Sequence, residues 1–234
     1  MRAYAVGDIH GQRARLEVAH ALIAADRAAT GDAAAPVVHL GDLVDRGPDS
    51  AGVIDLLLGG IAAGAPWVVL KGNHDRMFHA YLDDPFGAAG AFAPAHRWLN
   101  PGIGGVATLA SYGLHAPGDR PVRPVHAEAV AAVPAAHRAF LAGLPLWHRL
   151  GEVLFVHAGI RPGVPLARQH EDDLLWIRDE FLADGRDHGP LVVHGHTAVA
   201  VPEHHGNRVN IDTRAGYGGP VTAVAVEGRE VFVL

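Results

Sequence analysis

The stretch Gly41-Asp42-Leu43-Val44-Asp45-Arg46-Gly47 follows the apolar run Pro36–Leu40 and precedes a segment rich in Ala and Leu. A short apolar run, a polar glycine-rich turn and a helix-forming segment, in this order, are typical of a strand that ends in a loop before a helix. The stretch therefore predicts the end of a strand that carries two acids and an arginine.

Two further stretches repeat this order. Ala3–Val6 precedes Gly7-Asp8-Ile9-His10-Gly11, and Trp67–Leu70 precedes Gly72-Asn73-His74-Asp75. Apolar spacing and alanine content predict helices at about 12–29, 48–63 and 74–82. The turns follow one another at roughly 30 residues, the length of one βαβ unit. They should therefore lie side by side at the carboxyl ends of parallel strands, where open α/β sheets bind ligands.

Strands return in the second half of the chain. They are predicted at Val153–Val156, Leu191–Val193, Val209–Ile211, Val221–Val226 and Glu230–Val233. The last two flank Glu227-Gly228-Arg229, which is typical of a hairpin. The second half therefore predicts a mixed or antiparallel sheet, which makes two sheets in all with helices outside.

The segment 83–149 has little strand character. Amphipathic pieces such as Ala95–Leu99 and Ala135–Leu144 alternate with Pro and Gly, which favours helices and loops beside the sheet. The run Gly102-Ile103-Gly104-Gly105 follows a proline rather than a strand, so we interpret it as a turn and not as a phosphate-binding loop.

Composition limits the classes of function. The 234 residues are 49% hydrophobic and 19% charged, with a net charge of −6 and no cysteine, which indicates a folded protein without disulfides or thiolate-bound metal. No block of Lys and Arg favours duplex nucleic acid. The N-terminus has no secretory pattern, and no run reaches the roughly 18 apolar residues of a membrane span. We expect a cytoplasmic protein that does not bind membranes, with Trp67, Trp98, Trp147 and Trp176 in the core and His204-His205 solvated.

Metal-ligating side chains follow five predicted strands. They are Asp8 and His10; Asp42 and Asp45; Asn73, His74 and Asp75; His157; and His194 and His196. Imidazole and carboxylate groups suit Mn²⁺, Fe²⁺ or Zn²⁺. Asp8 and His10 could face one ion, and the two oxygens of Asp42 could bridge two ions. Ions about 3.5–4 Å apart are a recurring arrangement for displacement at phosphorus.

These blocks, with His157-Ala158-Gly159 and His194-Gly195-His196, resemble the signature of the phosphoprotein phosphatase family of metallophosphoesterases. Their order holds from residue 7 to 196, and Asn210-Ile211-Asp212-Thr213 is similar to a further block. The bacterial and phage branch, with its serine/threonine phosphatases and symmetrical diadenosine tetraphosphatases, is the most similar. The resemblance implies an α/β fold, the calcineurin-like metallophosphoesterase sandwich of two mixed β-sheets flanked by helices. It implies one domain over residues 1–234.

The resemblance also implies a role for each side chain. Asp8, His10 and Asp42 would hold one divalent ion, and Asp42, Asn73, His157 and His196 the other; Mn²⁺ is expected, with Fe and Zn as alternatives. A water between the ions would attack phosphorus in line. His74 would protonate the leaving oxygen, and Asp45 would orient His74. Arg46, Asn73 and Arg178 would hold the phosphoryl oxygens, a task that suits the planar guanidinium.

Several positions depart from the family pattern or stay open. Ala198 replaces a second histidine that is common two residues after His196 in the wider superfamily, which favours phosphatases over nucleases and phosphodiesterases. The run Asp212-Thr213-Arg214-Ala215-Gly216-Tyr217 has an arginine where the family pattern has glycine. For Arg161, the sequence leaves two interpretations open: a second contact to the substrate, or no contact to it. We interpret His194 as a turn-stabilising residue.

Three functions compete. The first is a phosphomonoesterase that acts on phosphoproteins or small phosphorylated substrates, with phosphoserine and phosphothreonine favoured and phosphotyrosine included. The second is a symmetrical dinucleoside tetraphosphatase or another nucleotide anhydride hydrolase. The third, a catalytically dead metal-binding scaffold, is disfavoured because His74, Asp45 and Arg46 occur together. The oligomeric state and the native metal do not follow from the sequence.

Overall fold

The computed structural model describes residues 2–87 and 94–234, so part of the segment 83–149 lies outside the described residues. The described residues form ten strands and eight α-helices. The strands are β1 Arg2–Val6, β2 Val37–His39, β3 Trp67–Val69, β4 Trp147–Leu150, β5 Val153–Val156, β6 Leu191–His194, β7 Glu203–His204, β8 Arg208–Asn210, β9 Ala223–Glu227 and β10 Glu230–Val233. The helices are α1 Arg13–Thr30, α2 Ser50–Ala62, α3 Asn73–Asp83, α4 Gly105–Ser111, α5 Val122–Ala132, α6 Ala135–Gly143, α7 Glu171–Trp176 and α8 Asp179–Leu182.

The first sheet has the strand order β10-β9-β1-β2-β3. Strands β1, β2 and β3 are parallel neighbours, with Tyr4 opposite Val37 and Val37 opposite Trp67. The two predicted βαβ steps are therefore confirmed, and the loops after the three strands meet at one edge. The hairpin β9–β10 joins this sheet, since β9 pairs antiparallel with β1 over five residues.

The second sheet has the order β4-β5-β6-β8-β7. Strands β5, β6 and β8 are parallel, and β4 and β7 are antiparallel at the two edges. The prediction of two mixed sheets is thus confirmed, although the strands of the second half of the chain are divided between both sheets. Within the described residues, no helix combines the length and the apolar character that a membrane crossing requires.

The two sheets pack face to face, and the side chains of β1 alternate between the two sides of its sheet. Ala3 and Ala5 face the second sheet and meet Phe155 and Val193 in one buried cluster. Tyr4 and Val6 face the opposite way, toward a helical layer that contains α1, α2 and α3. The helices α7 and α8 cover the outer face of the second sheet. The result is a four-layer arrangement with helices outside.

Two expectations about the middle of the chain are wrong. Trp147 is 39% exposed rather than buried, because it lies on the edge strand β4, whose alternate residues face away from the core. The segment 83–149 also contains that strand, which the sequence analysis did not predict. Trp98 is fully buried, while Trp67 and Trp176 are half-buried. The helices α4, α5 and α6 agree with the helical character expected there.

A buried histidine in β2 makes the stability of the fold dependent on pH. Burial lowers the pKa of His39 to about 3, and its Nε2 lies 2.9 Å from Nε2 of His20 on α1. The unfolded chain therefore takes up a proton near pH 6.5 that the folded chain refuses. The free energy of unfolding should fall as the pH drops below about 6.5, by about 2 kcal/mol between pH 7.5 and pH 5 from this residue.

Between pH 7.5 and pH 5, the free energy of unfolding of His39→Leu should fall by about 2 kcal/mol less than that of the wild type. Urea unfolding at pH 7.5 and pH 5 measures the difference, and the value at pH 7.5 reports the packing change alone. Parallel pH dependences of the two proteins would contradict the assignment.

Candidate metal centre

The candidate site lies where the carboxyl ends of strands from both sheets meet. Asp8 and His10 follow β1, Asp42 follows β2, and Asn73 begins α3 just after β3. From the second sheet, His157 follows β5 and His196 follows β6. All six side chains are buried. The structure thus brings together every residue for which metal binding was predicted.

Two groups of ligand atoms share one carboxylate. The ligand atoms of His10, Asp42 and His74 lie within 4.8 Å of one another, as do those of Asp42, His157 and His196. Asp42 belongs to both groups, with Oδ2 3.5 Å from Nε2 of His10 and Oδ1 3.3 Å from Nε2 of His157. This is the bridging position expected for Asp42.

Backbone carbonyl groups fix the orientation of two of the histidine rings. Nδ1 of His10 lies 3.0 Å from the carbonyl oxygen of Val44, and Nδ1 of His157 lies 2.9 Å from that of Leu40. Since a carbonyl only accepts hydrogen bonds, each Nδ1 carries the proton. The lone pair is therefore on Nε2, which faces Asp42, the arrangement that metal-ligating histidines use.

Asn73 presents an amide oxygen to the second group. Its Oδ1 lies 2.8 Å from Nε2 of His157 and 2.9 Å from Nδ1 of His196. Asn73 is the first residue of α3, so the helix start fixes the position of its side chain. Gly72, just before it, has no room for a Cβ because the backbone and carboxylate of Asp42 fill that space.

Asp8 lies at the same edge of the sheet and contacts the loop that carries His196. Both of its oxygens accept hydrogen bonds from the backbone N–H of His196, at 3.2 and 3.3 Å. A Cβ on Gly195 would collide with Oδ1 of Asp8, which explains the glycine there. The first group of ligand atoms contains His74 beside His10 and Asp42, and Asp8 is not one of its three members. Asp8 remains next to the site, on the side of His196.

The electrostatics of the cluster favour cations. Burial, Asp212 and Asp42 together raise the pKa of Asp8 well above its ordinary value, and burial raises the pKa of Asp212. Burial lowers the pKa of His10 to about 3 and that of His196 well below its ordinary value. Neutral imidazoles are the form that divalent metal ions require, and a cation between the crowded carboxylates would remove the repulsion that raises their pKa.

His74 differs from the other histidines of the cluster. Its Nδ1 lies 2.6 Å from Oδ2 of Asp45. Burial alone would lower its pKa, but the carboxylates of Asp42 and Asp45 raise the pKa above its ordinary value. Nδ1 holds a proton toward Asp45, and Nε2 lies at the pocket, 3.1 Å from a terminal nitrogen of Arg46. This arrangement suits a proton donor, and His74 also belongs to the first group of ligand atoms.

Asp45 is held by two residues that the sequence analysis did not assign to the site. The indole N–H of Trp98 donates to Oδ2 at 2.7 Å, and the hydroxyl of Thr108 donates to Oδ1 at 2.7 Å. Asp45 itself is fully buried. Its two oxygens are therefore satisfied by three donors, which fixes the carboxylate that in turn fixes His74. A buried indole N–H needs a hydrogen-bond partner, and this was the only signal in the sequence that Trp98 could contact the site.

Asp75 ties two of the loops together. Its carboxylate accepts hydrogen bonds from the backbone N–H groups of Leu43 at 2.9 Å and Gly72 at 2.8 Å. Burial, with a contribution from Asp42, raises its pKa to about 7. Asp75 thus sets the distance between the loop after β2 and the start of α3.

Arg46 covers the cluster from the solvent side. Its two terminal nitrogens lie 2.6 Å from Nε2 of His10 and 3.1 Å from Nε2 of His74. The ring of Tyr217 lies over the guanidinium, 4.7 Å from its centroid to Cζ, and Tyr217 is 67% exposed. A fixed cation here can hold an anionic group above the donor atoms.

A pocket of about 250 Å³ opens above these atoms. Its lining includes Arg46, Asn73, His74, Trp176 and Arg178. The three residues predicted to hold phosphate, Arg46, Asn73 and Arg178, therefore line one pocket. Nε of Arg178 also donates to Nε2 of His196 at 3.2 Å.

The structure also places the residues whose roles were left open. Arg161 pairs with Asp173 and Glu180 at the surface and does not line the pocket. Arg214 lines an adjoining recess. His194 is buried and contacts the carbonyl oxygen of Gly195, in agreement with a role in the turn. His204 and His205 are exposed, and the Gly102 run is a turn up to the start of α4.

Backbone strain is concentrated around the site. Among the described residues, seven non-glycine residues have positive φ, and six of them border the site. These six are His10, Asp42, Asp45, Arg46, His196 and Arg214; the seventh is Ala116. Such conformations are unfavourable for residues with a Cβ and cluster at functional sites.

The donor set fits two divalent ions. Asp42 is shared, the imidazoles present unprotonated nitrogens, and neighbouring carboxylates repel one another unless cations lie between them. When bound, such ions activate a water and neutralise phosphoryl oxygens. The site can therefore combine an activated water, a proton donor and two arginines around one phosphoryl group.

Comparisons with known proteins agree with this geometry. Residues 1–224 match the family model described as calcineurin-like phosphoesterase. A solved structure described as a "putative diadenosine tetraphosphatase" is 26% identical, with a TM-score of 0.64 over 100% of this chain and 92% of that chain. No match was found among curated proteins.

Two protein phosphatases share the fold at lower identity. The cold-active protein-tyrosine phosphatase of a psychrophilic Shewanella is 14% identical, with a TM-score of 0.53 over 98% of this chain and 76% of that one. A serine/threonine phosphatase from Saccharomyces cerevisiae is 14% identical, with a TM-score of 0.50 over 100% and 79%. The family match, the two-sheet fold and the shared-carboxylate site lead to one conclusion: the chain belongs to the calcineurin-like phosphoesterases, metal-dependent hydrolases of phosphoesters.

Proposed function

We propose that the chain is a phosphomonoesterase whose substrates are phosphoserine and phosphothreonine in proteins, with phosphotyrosine as a further substrate. One observation carries the proposal: the buried pair of His74 and Asp45, 2.6 Å apart, beside the metal-donor atoms. A serine or threonine alkoxide is a strong base that leaves readily only when it is protonated. A phosphate leaving group is a much weaker base. A rigidly held proton donor therefore serves an alcohol ester more than an anhydride.

The residues of the chain divide the work as follows. Asp8, His10, Asp42, Asn73, His157 and His196 would hold the two ions, for which we propose Mn²⁺. Arg46 and Arg178 bind the phosphoryl oxygens and orient the ester, together with the amide of Asn73. His74 holds a proton at Nε2 for the leaving oxygen, and Asp45 keeps the ring in that orientation and stabilises its charged form.

Hydrolysis of a dinucleoside tetraphosphate is the second candidate. The solved structure that is 26% identical supports it through its description. The position of Arg214 beside the pocket also supports it, because a polyphosphate needs more cationic groups than one phosphoryl group does. This candidate uses the same metal centre.

A panel of three substrates with added Mn²⁺ separates the candidates. We expect kcat/KM to be higher for a phosphothreonine peptide than for diadenosine tetraphosphate, with p-nitrophenyl phosphate as the common reference. A preference of tenfold or more for diadenosine tetraphosphate would replace the first function by the second.

The variant Arg178→Ala should raise KM and lower kcat together. Arg178 binds the phosphoryl group in the ground state, and its hydrogen bonds strengthen as charge spreads over the equatorial oxygens. A loss of about 10²–10³-fold in kcat/KM is expected, the range for one transition-state donor. The matched control is Arg161→Ala, since Arg161 is paired with carboxylates away from the pocket. Equal effects of the two substitutions would remove Arg178 from the site.

A further inference from the structure

A second recess adjoins the pocket above the metal centre. We call it the outer recess; it has a volume of about 530 Å³ and is lined by Arg178, Thr197, Ala198, Arg214 and Tyr217. Arg178, Ala198 and Tyr217 line the inner pocket as well. The two spaces therefore adjoin along these three residues, and a substrate seated at the metal centre can reach the outer recess across them.

The outer recess is cationic in a chain of net charge −6. Its lining contains two arginines and no carboxylate. Within the described residues, neither Arg178 nor Arg214 forms an ion pair with an acid, whereas Arg2, Arg76, Arg120 and Arg161 all do. Two like charges that line one recess without a counter-ion repel each other, and an anion between them removes that repulsion.

The backbone holds Arg214 at this place in a left-handed conformation, with φ 68° and ψ 33°. Its N–H donates to Oδ1 of Asp212 at 3.0 Å, and its carbonyl oxygen accepts from Tyr217 at 2.8 Å and Gly219 at 2.9 Å. Gly216 of the same loop packs directly against His10 and Arg46. The loop is therefore fixed to the metal centre, and a charged residue stands where glycine would be less strained.

Arg46 and Arg178 already match the charge of a single phosphoryl group, so Arg214 is available for another anion. An alcohol ester has no second phosphoryl group on its leaving oxygen. The second anion must then lie elsewhere on the substrate. We propose that Arg214, with Arg178, forms a subsite for an acidic side chain next to the phosphorylated residue of a protein substrate. This inference rests on the proposed function and adds a sequence preference to it.

Pairs of phosphothreonine peptides test the subsite. Each pair differs only by Glu or Gln at one position within three residues of the phosphothreonine. For the best position, kcat/KM of the wild type should be about fivefold higher with Glu, as expected for one exposed charge pair of about 1 kcal/mol. In Arg214→Gln, which removes the charge and keeps a polar side chain, the ratio should fall to about one. Arg214→Lys should restore much of it, and the exposed Arg168→Gln, with the same change in net charge, should leave it at the wild-type value.

The outcomes separate the subsite from the proposed function. Peptides that are not hydrolysed are measured as competitive inhibitors of p-nitrophenyl phosphate hydrolysis, so the ratio of their inhibition constants replaces the ratio of kcat/KM. The inference is overturned if the Glu-to-Gln ratio is near one at every position in the wild type. It is also overturned if a wild-type preference for Glu is unchanged in Arg214→Gln. A selective loss of kcat/KM on diadenosine tetraphosphate in Arg214→Gln, without a peptide preference, assigns the subsite to a polyphosphate instead.

Discussion

Asparagine in place of Asp42 is expected to release both ions and abolish measurable hydrolysis of p-nitrophenyl phosphate. Asp42 is the only residue shared by the two groups of ligand atoms found in the described residues. Its loss therefore affects both ions, and an amide binds divalent cations less well than a carboxylate does. The metal affinity should fall by more than the 10–100-fold typical of an outer partner of a metal ligand. Metal content per chain after dialysis measures the effect directly.

A chelator should reproduce this loss in the wild type, and added Mn²⁺ should restore activity. The matched control is Asp45→Asn, which changes a neighbouring buried carboxylate that we place beside His74 and not among the ligands. Asp45→Asn should keep the metal content of the wild type and lose rate. Full activity in a verified metal-free preparation would refute the metal-dependent mechanism.

Asparagine in place of His74 should lower kcat on a phosphothreonine peptide by roughly 10²–10⁴-fold, the contribution of a positioned proton donor. On p-nitrophenyl phosphate the loss should be much smaller, because nitrophenolate leaves without a proton. The metal content should stay near that of the wild type. Steady-state kinetics on both substrates, with metal analysis of the same preparations, measure all three quantities.

Other results would assign His74 differently. Its Nε2 lies 3.9 Å from Oδ2 of Asp42, so the geometry also permits it to act as a ligand. Loss of metal together with equal losses on both substrates would show that role. The variant Trp98→Phe adds a second comparison, since it removes one donor to Asp45 while His74 stays. Trp98→Phe should lower kcat on the phosphothreonine peptide, as His74→Asn does. Its loss of kcat on p-nitrophenyl phosphate should be smaller than its loss on the peptide.

Much of the site could be predicted because its residues lie in short blocks at strand ends. Asp8, Asp42 and Asn73 each follow an apolar run in a βαβ repeat, so the parallel pairing of β1, β2 and β3 brings them to one edge. The strands β5 and β10 have the predicted bounds for the same reason, a strong local pattern between turn residues. Local sequence determined these features.

Features that depend on distant contacts could not be predicted. Thr108 and Trp98 bond to Asp45 across 63 and 53 residues of sequence, and nothing near either residue indicates a catalytic neighbour. The position of Tyr217 over Arg46 depends on a loop that leads into β9, a strand of the other half of the chain. Trp147 was expected in the core because its sequence neighbours are apolar, but its position on an edge strand exposes it.

The positive φ angles at the metal centre have a consequence for the evolution of the chain. At His10, Asp42, Asp45, Arg46 and His196, glycine would relieve about 1 kcal/mol or more of backbone strain per position. At Asp45 the lost hydrogen bonds of Trp98 and Thr108 outweigh this relief. At the other four positions, a laboratory selection that rewards resistance to heat alone would find relief in glycine and so remove metal-ligand candidates and an arginine. Ala116 has the same strain away from the site, so Ala116→Gly offers similar relief without that loss. Heat resistance and hydrolysis thus have to be selected together in this chain.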